Sequence, residues 1–109
     1  MDRNIQYYKN YFIDFYNSLD CATQRKIAYV IQYIKIESRW NEKFVKFIRD
    51  GLFELRAINN GNIYRVFFIL DDGNIVILFN GFQKKTQKTP KQEIDKAIQL
   101  KNHYYAEKQ

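Results

Sequence analysis

"GLFELRAINNGNIYRVFFILDDGNIVILFNGF", Gly51 to Phe82, is the stretch on which the fold turns. Its three apolar runs, LFELRAI, NIYRVFFIL and NIVILFNGF, alternate with a period of two and are rich in β-branched and aromatic residues, the pattern of strands. Between them stand Asn60-Gly61 and Asp72-Gly73, pairs that accept the positive φ of tight hairpin turns. The stretch predicts a three-stranded antiparallel meander. With two-residue loops in both hairpins, Arg56 faces Arg65 and Arg65 faces Asn80, a single row on one face that also carries Glu54. The opposite face then collects Phe53, Leu55, Ala57, Tyr64, Val66, Phe68, Leu70, Ile75, Ile77 and Phe79 as the core that receives the helices.

N-terminal to the meander the period changes. Tyr7, Tyr8, Tyr11, Phe12, Phe15, Tyr16 and Leu19 recur at a spacing near four, which predicts a helix from Tyr11 onward, while IQYYKNYF before it fits a helix or a short strand. Asp20 is placed to cap a second helix whose apolar stripe is Ile27, Val30, Ile31 and Ile34, ending near Ser38. RWNEKFVKFIRDG reads as a mixed connector with room for one helical turn before Gly51. C-terminally, Thr89 as N-cap, Pro90 at the first helical position and Gln92 in a capping box predict a last helix carrying Ile94, Ala97, Ile98 and Tyr105.

Together these segments predict one α+β domain over residues 1–109. A hydrophobic share of 46% with 17% aromatics is enough for a core, so disorder is excluded. No apolar run approaches the ~20 residues of a membrane span, and Asp2-Arg3-Asn4 begins no secretory signal, so a soluble cytoplasmic protein without a membrane partner is expected. One cysteine, Cys21, and one histidine, His103, can form neither a disulfide nor an ordinary zinc site, and neither metal nor cofactor is expected.

The charge is uneven. Eighteen Lys and Arg against twelve Asp and Glu leave +6, a balance that favours a polyanionic partner through counterion release. Lys84, Lys85, Lys88 and Lys91 follow the last strand, so the lysine loop emerges beside the arginine row. Opposed arginines repel by a few tenths to about 1 kcal/mol, and two arrangements relieve this. Either Glu54 pairs with Arg56, or both guanidiniums hold an anion such as a phosphate.

GLFELRAINNGNIYRVFFIL followed by IVILFNGFQKKTQKTPKQEIDKA resembles the RelE/HigB superfamily of bacterial type II toxins, and in particular its phage-derived branch with an ELR strand, a YRVFF strand and a KKTQKTP loop. The resemblance covers about Gly51 to Ala97. It implies a small antiparallel sheet packed on two N-terminal helices, with a first strand near Ile5 to Tyr11 and a last helix after the sheet. It further implies a metal-independent, ribosome-dependent mRNA endoribonuclease restrained by a cognate antitoxin, commonly a helix-turn-helix protein, with operator DNA bound only by the toxin–antitoxin complex.

By the same resemblance Arg65 matches the family's most characteristic catalytic arginine, Arg56 another basic member of the cleft, and Lys84 and Lys85 the basic residues after the last strand. Phe82 is a candidate for stacking on a base or for a core or lid aromatic, and Asn80 and Lys88 complete the RNA-binding candidates. Glu54 is the one carboxylate on the row, a candidate general base or a salt-bridge partner of Arg56. Lys84 or Lys85 is the candidate proton donor. Asn80 stands where this branch often has histidine, and His103 on the last helix does not replace it. Arg25, Lys26, Lys35 and Lys43 are candidates for ribosomal RNA contact or a solvated helix face. A ParE-like gyrase inhibitor without nuclease chemistry, and a degenerate relative that only binds its antitoxin, are the alternatives.

Overall fold

Alternation and turn chemistry build a sheet of five strands rather than four. The computed structural model describes residues 2–85 and 89–108. The meander is β3 (Leu52–Asn59), β4 (Asn62–Asp71) and β5 (Ile75–Lys84); β1 (Asn4–Tyr7) joins β5 in parallel, and β2 (Val45–Arg49) joins β3 antiparallel. The spatial order is β1-β5-β4-β3-β2, so the sheet is mixed and not purely antiparallel. Strand β2 replaces the expected connector. Its turn is Asp50-Gly51, both at positive φ, the same Asp-Gly signal that marks the other hairpin. Strand β1 ends at Tyr7 instead of Tyr11, because Lys9 turns the chain at φ 51° into α1 (Tyr11–Asn17).

The first hairpin has the expected register, Arg56 opposite Arg65. The second does not. Its loop is the three residues Asp72, Gly73 and Asn74, which puts Asp71 against Ile75 and Leu70 against Val76. The added residue moves β5 by one position and sends Ile75, Ile77 and Phe79 to the other face from the one expected. A bulge follows, in which Phe79 and Asn80 together oppose Phe67, so that Arg65 pairs with Phe82 and not with Asn80.

Both faces are therefore covered. On one, α1 and α2 (Cys21–Ile36) pack Phe12, Ile27, Val30 and Ile34 on Leu55, Val66, Phe68, Val76 and Leu78. Asp20 caps α2 as its sequence predicts, accepting from the Thr23 N–H at 2.8 Å. At Gly81 only glycine fits, since a Cβ there would lie 2.4 Å from the Phe15 ring. On the other face α3 (Lys91–Lys108) lays Ala97 and Leu100 over Leu52, Phe67, Ile69, Ile77 and Phe79. Among the described residues no helix is long and apolar enough to cross a membrane.

The far end of α3 is tied down by Asp71, whose carboxylate accepts from Tyr104 Oη at 2.6 Å and from Lys108 Nζ. Lys108 above all, then Tyr104, holds the Asp71 carboxyl below the usual carboxylate range. In the unfolded chain Asp71 takes up its proton near the ordinary value of about 3.9, and in the folded chain only at lower pH. This stabilisation is present above about pH 4 and is lost as the pH falls below it. Asp71→Asn should thus lower the melting temperature at pH 7 by a margin that narrows at pH 3, which paired thermal melts would read.

Candidate functional site

Helix α3 starts at Lys91 beside β2, with Arg49 donating to Asp95 at 3.2 Å, and its first turns border β2 and β3. A pocket of about 380 Å3 opens there, lined by Lys46, Phe47, Ile48, Glu54, Arg56, Lys84, Thr89 and Ile94. Glu54 forms its floor. Only 1% exposed, it sits at 3.3 Å from both Arg56 Nε and Arg65 Nε through the same oxygen, Oε1. Oε2 accepts from the Thr89 hydroxyl at 2.8 Å. The like-charge pair imposed by the first hairpin is thus relieved from within the protein, by one carboxylate serving two arginines.

The two arginines differ in what they have left to give. Arg56 is partly exposed and lines the pocket, and its Nη1 also donates to the Glu42 carbonyl at 3.0 Å. Arg65 lies beneath, 6% exposed; its Nη1 reaches the Tyr64 carbonyl at 3.3 Å, but its Nε has no well-aligned acceptor despite the proximity of Glu54. Burial pushes the Arg65 guanidinium below the usual arginine range, with Arg56 adding to that effect and Glu54 opposing it. Lys84, at the end of β5, has its ammonium pushed below the ordinary lysine value by burial first and by Arg65 second. A buried cation thus sits under a pocket whose rim is also cationic.

The remaining candidates are distributed less simply. Phe82 is partly buried and stacks on Phe67 at 5.8 Å between centroids, on the same face as Arg65. Lys85 is exposed just past β5, and Lys88 lies outside the described residues. Asn80 is 3% exposed and donates to the Glu93 side chain at 3.1 Å and main chain at 3.3 Å, which joins the bulge to α3 and removes it from the pocket surface. His103 is exposed on α3. Thr89, expected to cap that helix, instead turns its hydroxyl to Glu54, and the Pro90 carbonyl accepts the N–H of Ile94. Lys46 is absent from the sequence candidates because β2 is; the Asp50-Gly51 pair and the alternation in VKFIR are the signals that could find it. Among the described residues no three His, Cys, Asp or Glu side chains cluster as metal ligands.

Comparison with known families bears on this arrangement directly. The profile of the phage-derived protein Gp49-like family matches residues 14–102, most of the chain. The chain belongs to that family. The Gp49-like family is part of the RelE/ParE-like toxin superfamily, so a toxin-like character and an antitoxin partner follow for this member. No curated protein matches it. In this Gp49-like chain the matched span begins within α1 and ends within α3, and it includes the whole pocket, Lys46, Glu54, Arg56 and Lys84 among its lining, and Arg65 beneath it.

Proposed function

We propose that this Gp49-like protein is the toxin of a type II toxin–antitoxin pair, of the HigB-like branch, and that it cleaves mRNA on the ribosome. The observation that carries the reading is Arg65, a buried arginine with an unaligned Nε, held beneath a pocket whose mouth is lined by Arg56 and Lys84. A cationic pocket of this kind suits a phosphodiester that gains charge in its transition state, and such stabilisation is usually the largest catalytic contribution. The nucleophile is the substrate's own 2′-OH, which attacks the adjacent phosphorus and expels the 5′-oxygen, leaving a cyclic phosphate. The 2′-OH proton passes to solvent water, the departing oxygen takes its proton from Lys84, and Lys84 is reprotonated from solvent, so atoms and charge balance.

Within this reading Arg56 holds the phosphate and Arg65 supports it from below. Glu54 positions the two guanidiniums; with Oε1 shared between them and Oε2 on Thr89, it is engaged on both oxygens, and its alternative role as a general base loses weight. Lys84 donates the proton to the departing oxygen, and Lys46 and Lys85 add positive potential around it. The ribosome supplies orientation of the mRNA, which offsets the lack of a histidine acid–base pair. The antitoxin is expected to be a helix-turn-helix protein.

Primer extension on an mRNA in a purified translation system, with and without ribosomes, tests this. Cuts that need ribosomes support the nuclease; continued intact mRNA with active, antitoxin-free protein would remove it and make gyrase inhibition the next assay. The lowered pKa of Lys84 supplies a further expectation. Its charged form is the donor, so cleavage should decline as pH rises, at a pH below the ordinary lysine value of about 10.5. Lys84→Gln should cleave slowly and lack that alkaline limb in a single-turnover pH profile.

A further inference from the structure

A second cavity, of about 410 Å3, lies on the α2 side of β3, lined by Lys26, Tyr29, Val30, Lys43, Phe44, Arg56, Ala57 and Ile58. Arg56 borders both this cavity and the pocket over Glu54. The two adjoin at Arg56, where β2 has not yet begun: its pairing starts at Val45 opposite Leu55, beyond which the Phe44 carbonyl accepts the Arg56 N–H and the Ala57–Asn59 part of β3 has no β2 partner.

The composition of this groove is unusual for a solvated face. Tyr29 is 64% exposed and Ile58 59%, two large apolar side chains that line the cavity together with the buried Val30 and Ala57. Phe44 stands edge-on to Tyr29 at 6.2 Å, and Lys43 Nζ lies 5.5 Å from the Phe44 ring. Lys26 and Lys43 have no carboxylate partner among the described residues, and none of the lining residues is acidic. An exposed aromatic platform between unpaired lysines matches single-stranded nucleic acid, whose bases stack and whose phosphates need cations.

We propose that this groove carries the nucleotides adjoining the cleaved bond, so that single-stranded RNA runs from the pocket over Arg56 and onto Tyr29. A base stacks on Tyr29, with Lys26 and Lys43 on its flanking phosphates. The inference extends the nuclease reading by naming where substrate is gripped outside the reacting centre, and it rests on that reading for the identity of the strand as substrate.

The test is fluorescence anisotropy of the full chain with a dye-labelled RNA hexamer, 2′-O-methylated throughout so that it cannot be cut, titrated at several salt concentrations. Tyr29→Ala should weaken binding about fivefold or more, the effect of losing one stacked base. Lys26→Gln/Lys43→Gln should reduce the magnitude of the log K against log salt slope by about 1.4, as for two lost phosphate contacts on a single strand. The pair Lys9→Gln/Lys96→Gln, with the same charge change away from the groove, should leave affinity within about twofold. Equal binding by the groove variants and the wild type, or no binding of the hexamer by the wild type, would overturn the proposal. So would groove variants that lose an Asp/Glu-rich peptide while keeping RNA, which would make the groove a protein-docking site. Failure of the nuclease reading shows separately, as intact mRNA in the translation assay whatever the hexamer does.

Discussion

Arg65→Ala is expected to cost about 10²–10³-fold in ribosome-dependent cleavage, the usual loss when one preorganised charge-stabilising donor is removed from a reacting centre. The variant loses three things together. The positive charge beneath the pocket goes, Glu54 keeps only Arg56 as an ionic partner, and Lys84 is relieved of one of the influences that lower its pKa. The third effect makes the prediction specific. In Arg65→Gln the alkaline limb assigned to Lys84 should move to higher pH, and in Arg65→Lys, which keeps the charge, it should stay nearer its original place. Primer extension on ribosome-bound mRNA measures the loss, and circular dichroism confirms that the variants are folded. An Arg65→Ala protein that is folded and cuts at the wild-type rate would remove this residue, and the buried charge it supplies, from the mechanism.

Glu54→Ala should be the most destabilising change at the site, by about 3–5 kcal/mol, because it leaves the buried Arg65 guanidinium without its counter-charge. Urea denaturation would show this as a fall in midpoint at nearly constant m. The same reasoning makes the double variant informative. Glu54→Leu/Arg65→Met replaces the buried pair by apolar groups of similar volume and should recover most of the loss, so the two positions should be strongly non-additive in a double-mutant cycle. It should also be inactive. Stability without activity would separate the role of the pair in holding the fold from its role in the chemistry, and additive effects would mean that Glu54 and Arg65 do not act on each other.

Part of this site is legible in the amino-acid sequence alone. The first hairpin's Asn60-Gly61 turn places Arg56 opposite Arg65, and with them Glu54, because a two-residue loop leaves no freedom of register. The strand after β4 lies one residue away from its expected position, because Asp72-Gly73-Asn74 accommodates a two- or a three-residue loop equally well at the level of sequence. A period-two pattern cannot arbitrate in a strand that is apolar on both faces, as β5 is with Ile77 and Phe79 under α3 and Val76 and Leu78 under the N-terminal helices.

The chain's own chemistry determined its α+β class, the meander, the cap at Asp20 and the convergence of Arg56, Arg65 and Glu54, since each rests on contacts between near neighbours or on a turn of defined length. Only the tertiary structure decided that Asn80 turns inward to α3, that Thr89 leaves its helix to bind Glu54, and that Lys46 and Lys84 meet at one pocket. Those outcomes depend on where the start of α3 lies on the sheet, which is set by the packing of Ala97 and Leu100 on Leu52, Phe67, Ile69, Ile77 and Phe79, contacts between residues far apart in sequence that no local pattern records.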